Sequence, residues 1–182
     1  MEVKKYGAGI FTVSHFLTKE ECQREILRAE KQGYEDATIQ TREGPVRAEK
    51  VRNNDRVIFD DESLAQTFYA RAKEFLPEIQ DNWFITGLNE KFRFYKYGSG
   101  QYFKFHKDGS FQRSSTEESM LTFIVYLNDD FEGGLTRFLW DKVKPEEGML
   151  IVFPHRITHE GAEVTSGFKY ALRTDVMYCE NK

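Results

Sequence analysis

From residue 91 onward the side chains alternate with a period of two, and this feature constrains the fold more than any other. In Lys91-Phe92-Arg93-Phe94-Tyr95-Lys96-Tyr97 successive residues point to opposite sides of an extended chain, and Gly98-Ser99-Gly100 then turns it. Further strands are predicted over 102–106, 120–127, 136–140, 149–153 and 168–178. Asn128-Asp129-Asp130, Gly133-Gly134 and Pro145-Glu146-Glu147-Gly148 supply turns between them. Short strands with turn signals every 8–12 residues or so predict a β-sandwich or barrel. Sixteen Phe and nine Tyr suit a pleated, half-buried surface.

The first 90 residues read differently. Thr18 with Glu21 three residues on is a capping box, and Leu17 is placed to staple onto Cys22. Cys22, Ile26 and Ala29 continue one apolar face, and Gly33 is placed to end the helix. A second helix is predicted to start near Asp60 to Ser63, with Leu64, Phe68, Ala72 and Phe75 as its stripe and Pro77 as its limit. Two helices preceding a set of strands are expected to pack on the outside of one sheet.

The chain has 182 residues, the size of a single domain, 1–182. Its formal net charge is −4, which argues against a nucleic-acid partner, since phosphate binding calls for a basic face. Cys22 and Cys179 are distant from each other and read as free thiols of a reducing compartment. No stretch approaches the ~20 apolar residues of a membrane helix, so a cytoplasmic protein without a membrane partner is expected.

The chemistry gathers around Phe103-Lys104-Phe105-His106-Lys107-Asp108-Gly109. In a strand, residues i and i+2 share a face, so His106 and Asp108 can aim an imidazole and a carboxylate at one point. A second histidine would complete the 2-His-1-carboxylate facial triad, which leaves open positions on iron(II). His155 and His159 follow a buried-looking strand and are the candidates. Their spacing is helical, but Arg156 stands where a zincin would carry Glu. Lys169 lies ten residues beyond His159, and Arg173 follows on the same strand face.

From about residue 90 to the end, the chain resembles the prolyl 4-hydroxylase-like branch of the 2-oxoglutarate/iron(II) dioxygenases. The segments that carry the resemblance are Tyr97-Gly98-x-Gly100-x-Tyr102, His106-x-Asp108, Tyr126-Leu127-Asn128, Gly133-Gly134-x-Thr136-x-Phe138, Pro145-x-x-Gly148, His159 and Gly167-x-Lys169-Tyr170. The resemblance implies a mainly β (α+β) fold, a double-stranded β-helix or jelly roll with the N-terminal helices packed on one sheet. Residues 1–90 would then be helical support and outer strands, and 91–182 the catalytic core. It implies iron(II) held by His106, Asp108 and His159, with 2-oxoglutarate as co-substrate and ascorbate as a further candidate cofactor. Lys169 would pair with the distal carboxylate of 2-oxoglutarate, Tyr126 would hydrogen-bond it, and Tyr97 would line the pocket. The activity implied is a hydroxylation that consumes dioxygen and converts 2-oxoglutarate to succinate and carbon dioxide.

Alternatives remain at this stage. His155 competes with His159 as distal ligand. Arg173 competes with Lys169 for the co-substrate, or is an interior arginine paired with Asp175 or Glu132. The prime substrate is a protein or peptide side chain, or a free small molecule. Rival classes are a jelly-roll binding module without turnover and a zinc hydrolase. The segment 109–119 reads as a loop placed to act as a lid, with Glu117-Glu118 a solvated pair. Trp140, Phe111, Arg93 and Arg113 are weighed as the lining of a substrate mouth and read as structural. Arg52-Asn53-Asn54-Asp55-Arg56 carries no mechanism that the residues alone supply, and oligomeric state is not legible.

Overall fold

A computed structural model describes residues 1–41 and 44–180. A large, largely antiparallel sheet runs in the order Val3–Gly7, Ile10–Val13, Leu150–Pro154, Glu117–Tyr126, Lys169–Glu180, Lys91–Tyr97, Asp55–Asp60 and Glu35–Asp36, with short strands beside this path. A four-stranded sheet, Phe103–His106, His159–Gly161, Thr136–Phe138 and Lys142–Val143, covers part of its inner face. Helices α1 (Lys19–Gln32) and α2 (Glu62–Ala72) pack on the outer face. This is the jelly roll with helices on one sheet that the sequence implied. No helix among the described residues is long and apolar enough to cross a membrane.

Alternation decides which residues face which layer. Phe92, Phe94, Leu121, Phe123, Val125, Leu150, Val152, Leu172 and Val176 join the core under the helices, with Cys22, Ala29, Phe68 and Ala72 from the helix side. Their neighbours turn inward: Tyr95 and Tyr97, Thr122 and Tyr126, Ile151 and Phe153, Lys169, Ala171 and Arg173. Both faces of the central strands are therefore buried. Each fully buried large apolar side chain on the helix face contributes roughly 1.5–3 kcal/mol. The inner face gives up part of that gain to polar groups, and this is where the site lies.

The α1 capping box is present: Glu21 N–H donates to the Thr18 hydroxyl, and Thr18 N–H to the Glu21 carboxylate. The same carboxylate takes a bidentate pair from Arg71 of α2 at 2.8 and 2.7 Å, and Arg71 also donates to the carbonyl of Phe16. These bonds from Arg71 hold the Glu21 carboxyl down at about 2, below its ordinary 4.5. A depressed folded value means stability that is present above pH 4.5 and lost as pH falls from there through about 2. At pH 7 the protein should exceed Arg71→Met by about 1–2 kcal/mol in urea unfolding, allowing for partial exposure of the pair. The gap should shrink through the acidic window, and a constant gap would refute the coupling. The face of α2 differs from expectation. Ala65, Phe68 and Ala72 are buried, Leu64 and Phe75 are only partly buried against the same core, and the helix ends at Ala72, before Phe75 and the expected limit at Pro77.

The Pro145-x-x-Gly148 turn has a steric reason. Gly148 has φ +75°, and a Cβ there would stand 2.2 Å from the carbonyl oxygen of Leu17, whose N–H donates back to the Gly148 carbonyl. This contact joins the chain just before α1 to the turn that precedes the strand Leu150–Pro154. Gly148→Ala should cost about 2–4 kcal/mol and lower the melting temperature by roughly 5–15 °C, because main chain must move. A change within 1–2 °C or so would show that the junction is soft.

Two local expectations are corrected. Glu117 and Glu118 open the long strand Glu117–Tyr126, and Glu117 accepts from Thr86 and Arg113 rather than being merely solvated. The preceding segment contains the short strand Gln112–Ser114 paired to it, and Ser119 N–H donates to the Phe111 carbonyl, so half of the expected lid is tied down.

Candidate active site

His106 ends the strand Phe103–His106, and His159 opens its neighbour, where the two are register partners. His106 stacks on Phe103 at 3.5 Å between centroids, and His159 meets Phe153 edge-on at 4.5 Å. Asp108 is not in a strand. It lies two residues past the strand end, where its N–H donates to the carbonyl of His155, so the i, i+2 argument gave the right neighbour for an incomplete reason.

The three side chains converge, with one ligand atom from each within 4.8 Å of the others. The Nδ1 of His106 lies 2.7 Å from the Lys104 carbonyl, and that of His159 lies 2.9 Å from the Ile157 carbonyl. A carbonyl accepts only, so each Nδ1 carries the proton and each Nε2 presents a lone pair. Both Nε2 atoms stand 3.6 Å from an Asp108 oxygen, too far for a hydrogen bond and suited to ligands around one ion. Burial pushes His159 down to about 4, which keeps it neutral. Burial alone would raise the Asp108 carboxyl, but the Arg173 guanidinium beside it holds it well below the usual carboxylate range. Two neutral imidazoles and one ionised carboxylate fit a divalent iron.

Asp108 is held from both sides. Arg173 donates to Oδ1 at 2.6 Å and the Thr122 hydroxyl to Oδ2 at 2.6 Å. Since the Thr122 proton goes to Asp108, its oxygen must accept from His155 Nδ1 at 2.8 Å, and His155 Nε2 then accepts from Ser119 at 2.9 Å. Both nitrogens of His155 are thus engaged away from the triad, and His155 supports the carboxylate. Arg173 also donates to Asp175, which Arg93 shares. Of the two partners weighed for Arg173, Asp175 is used, and Asp108 is the one that sequence reasoning missed.

Lys169 is 4% exposed, and its ammonium makes one hydrogen bond, 2.6 Å to the carbonyl of Gly134. Gly134 has φ +60°, and a Cβ there would meet Phe131 at 2.7 Å and the Lys169 stem at 3.2 Å, which accounts for the Gly133-Gly134 turn. Burial without a counterion pushes Lys169 down to about 7. A narrow cavity connects it to the triad, lined by Tyr97, Tyr126, Thr136, His106, His159 and Lys169 among others. Tyr126 donates to or accepts from Thr136 at 2.6 Å, so Thr136 is a further pocket residue that sequence reasoning left without a role. A second, wider cleft of about 720 Å³ lies on the other side of His106 and Asp108, with Arg52, Arg56, Arg93 and Lys107 on its walls.

Fold and site together define a 2-oxoglutarate- and iron(II)-dependent oxygenase. Residues 92–174, which include all three convergent side chains and Lys169, match the family described as the 2OG-Fe(II) oxygenase superfamily. Its fold is that of the prolyl 4-hydroxylase-like members. It is similar to a viral collagen prolyl hydroxylase of Paramecium Bursaria Chlorella virus-1 in complex with 2OG, with TM-score 0.67 and 22% identity, over 94% of this chain and 97% of that one. A Pseudomonas putida prolyl-4-hydroxylase gives TM-score 0.65 and 19% identity, over 96% and 94%. A Trichoplax adhaerens prolyl hydroxylase in complex with a hypoxia inducible factor peptide fragment gives 0.69 and 18%, over 95% and 84%. No curated protein matches the sequence.

Proposed function

We propose that the chain hydroxylates a side chain of a protein or peptide, in the manner of a prolyl hydroxylase. His106, Asp108 and His159 would hold iron(II), Lys169 would hold the distal carboxylate of 2-oxoglutarate, and Tyr126 and Tyr97 would line its pocket. Bound there, iron(II) supplies dioxygen chemistry coupled to decarboxylation of 2-oxoglutarate. The observation that carries the reading is Lys169: a buried cation with one hydrogen bond, in the same narrow cavity as the triad, lacks only an anion. The remaining work falls to the chain's own residues. Arg173 and Thr122 keep Asp108 ionised and fixed in direction. Phe103 and Phe153 pack the imidazoles and exclude water beside them. The wide cleft beyond His106 is of the size that receives a substrate segment.

The peptide as substrate is supported by the likeness to prolyl hydroxylase structures, one of them in complex with a peptide fragment. Oxygen uptake and succinate formation, measured against a panel of proline-containing peptides and free amino acids, test it. Succinate should require both iron(II) and 2-oxoglutarate and rise when a peptide is added. Stimulation by free amino acids alone would move the substrate to the small-molecule class.

A further inference from the structure

The wide cleft carries a charge imbalance that the iron and co-substrate sites do not use. Its walls hold Arg52, Arg56, Arg93, Lys107 and Arg173 against a single carboxylate, Asp108. Arg173 is committed to Asp108 and Asp175, and Arg93 shares Asp175. Asp36 and Glu49 both pair with Arg47, and Asp55, the neighbour of Arg56 in sequence, forms no ion pair with either Arg52 or Arg56. Among the described residues, Arg52 and Arg56 have no ion-pair partner.

Arg52 is the more telling of the two. It is 5% exposed, and its guanidinium lies between the rings of Tyr95 and Phe103, 4.6 and 4.4 Å from their centroids. Its Nε donates to Asn54 at 2.7 Å, and its Nη2 is buried with no hydrogen-bond partner among the described residues. Arg56 gives both terminal nitrogens to Thr38, at 3.3 and 2.7 Å, and its Nε is likewise buried without a partner. Phe103 stacks on His106, so the Arg52 guanidinium sits one ring away from the His106 imidazole. The Arg52–Arg56 segment that the sequence left without a mechanism thus forms one wall of the substrate cleft.

We infer that the prime substrate carries a carboxylate close to the carbon that is hydroxylated, and that Arg52 and Arg56 receive it. The inference rests on the proposed oxygenase reading and narrows its substrate. A neutral substrate closing over this wall would add no acceptor and no charge to two guanidiniums that each already bury one unmet donor. A carboxylate offers two acceptor oxygens to the planar guanidinium fork and supplies the missing charge. Iron(II) with Asp108, and 2-oxoglutarate with Lys169, compensate one another and leave this wall uncompensated. The carboxylate comes from an acidic residue beside the target in a peptide, or from the α-carboxylate of a free amino acid.

The test uses the full chain loaded with iron(II) and 2-oxoglutarate under nitrogen, titrated calorimetrically with matched probes. One pair is a short peptide with a central proline flanked by glutamates, and the same peptide with glutamines. The other pair is free L-proline and L-prolinamide. The carboxylate member of at least one pair should bind about tenfold to a hundredfold more tightly than its neutral partner, and the pair that responds identifies the source. In Arg56→Gln, and in Arg52→Gln if it folds, that preference should fall to within about threefold. Equal binding within both pairs, no binding by any probe, or a preference that survives Arg56→Gln overturns the inference. The same samples report the parent reading separately through the 2-oxoglutarate-dependent absorbance of the iron chelate. If that band is absent, the oxygenase assignment fails first; if it is present without carboxylate preference, only this inference fails.

Discussion

Asp108→Ala should abolish iron(II) binding and reduce 2-oxoglutarate-dependent succinate formation to background, and it should also weaken the metal-free protein. The second effect separates Asp108 from its two partners. Its carboxylate is the nearest counterion of Arg173, which is only 10% exposed at its side chain, and Asp175 alone must then serve both Arg173 and Arg93. Removing one partner of a buried pair costs on the order of 3–5 kcal/mol. His106→Ala should lose turnover as fully and yet unfold near the wild-type midpoint, because its imidazole carries one hydrogen bond to a backbone carbonyl and 16% exposure. Chemical denaturation of both variants without metal checks the contrast. Equal stability losses would mean that Arg173 does not depend on Asp108, and retained iron binding in Asp108→Ala would remove it from the ligand set.

Lys169→Met should raise the 2-oxoglutarate requirement by roughly a hundredfold to several thousandfold, while leaving iron affinity nearly unchanged, as expected for a buried carboxylate that loses its cation. Arg173→Met should leave the co-substrate requirement within about threefold and destabilise the metal-free fold instead, since it strips Asp108 of its charge partner. Bound iron(II) should return part of that stability, because the metal takes over as the partner of Asp108. A titration of both variants, followed through the chelate absorbance under nitrogen, distinguishes them. If Arg173→Met abolished co-substrate binding and Lys169→Met kept it, the cation assignment would move to Arg173. Lys169 also predicts a pH dependence. Its free-protein value is pushed down to about 7, and a bound carboxylate would raise it. Binding above pH 7 must therefore take up a proton, and affinity should fall by up to about tenfold per pH unit as pH rises. A flat profile from pH 6.5 to 8.5 or so would show that Lys169 remains charged without the ligand.

Strand positions in the second half were legible because alternation and turn chemistry are properties of a few adjacent residues. Phe92 and Phe94 against Tyr95 and Tyr97 declare two faces within one segment, and the Gly133-Gly134 and Pro145-x-x-Gly148 turns declare its ends. His106 and Asp108 were legible in the same way, whereas both His155 and His159 follow the Leu150–Pro154 strand and only the resemblance favoured His159. The resemblance carried by the motifs then joined Lys169 to them.

Sequence by itself determined the period-two core, the helix caps and the pairing of His106 with Asp108, because each is written in residues that are close along the chain. The choice of His159 over His155 needed the structure, which engages both His155 nitrogens elsewhere. Tertiary structure alone decided what orients the three convergent side chains. Arg173 reaches Asp108 across 65 residues, and His155 reaches Thr122 across 33 and Ser119 across 36. Arg93 and Arg173 become neighbours only because their strands pair in that register. Arg52 acquires its place between Tyr95 and Phe103 from three separate segments. Such contacts are fixed by how strands pair and how sheets face each other, and a linear pattern holds no record of which side chain another segment will bring within 3 Å or so.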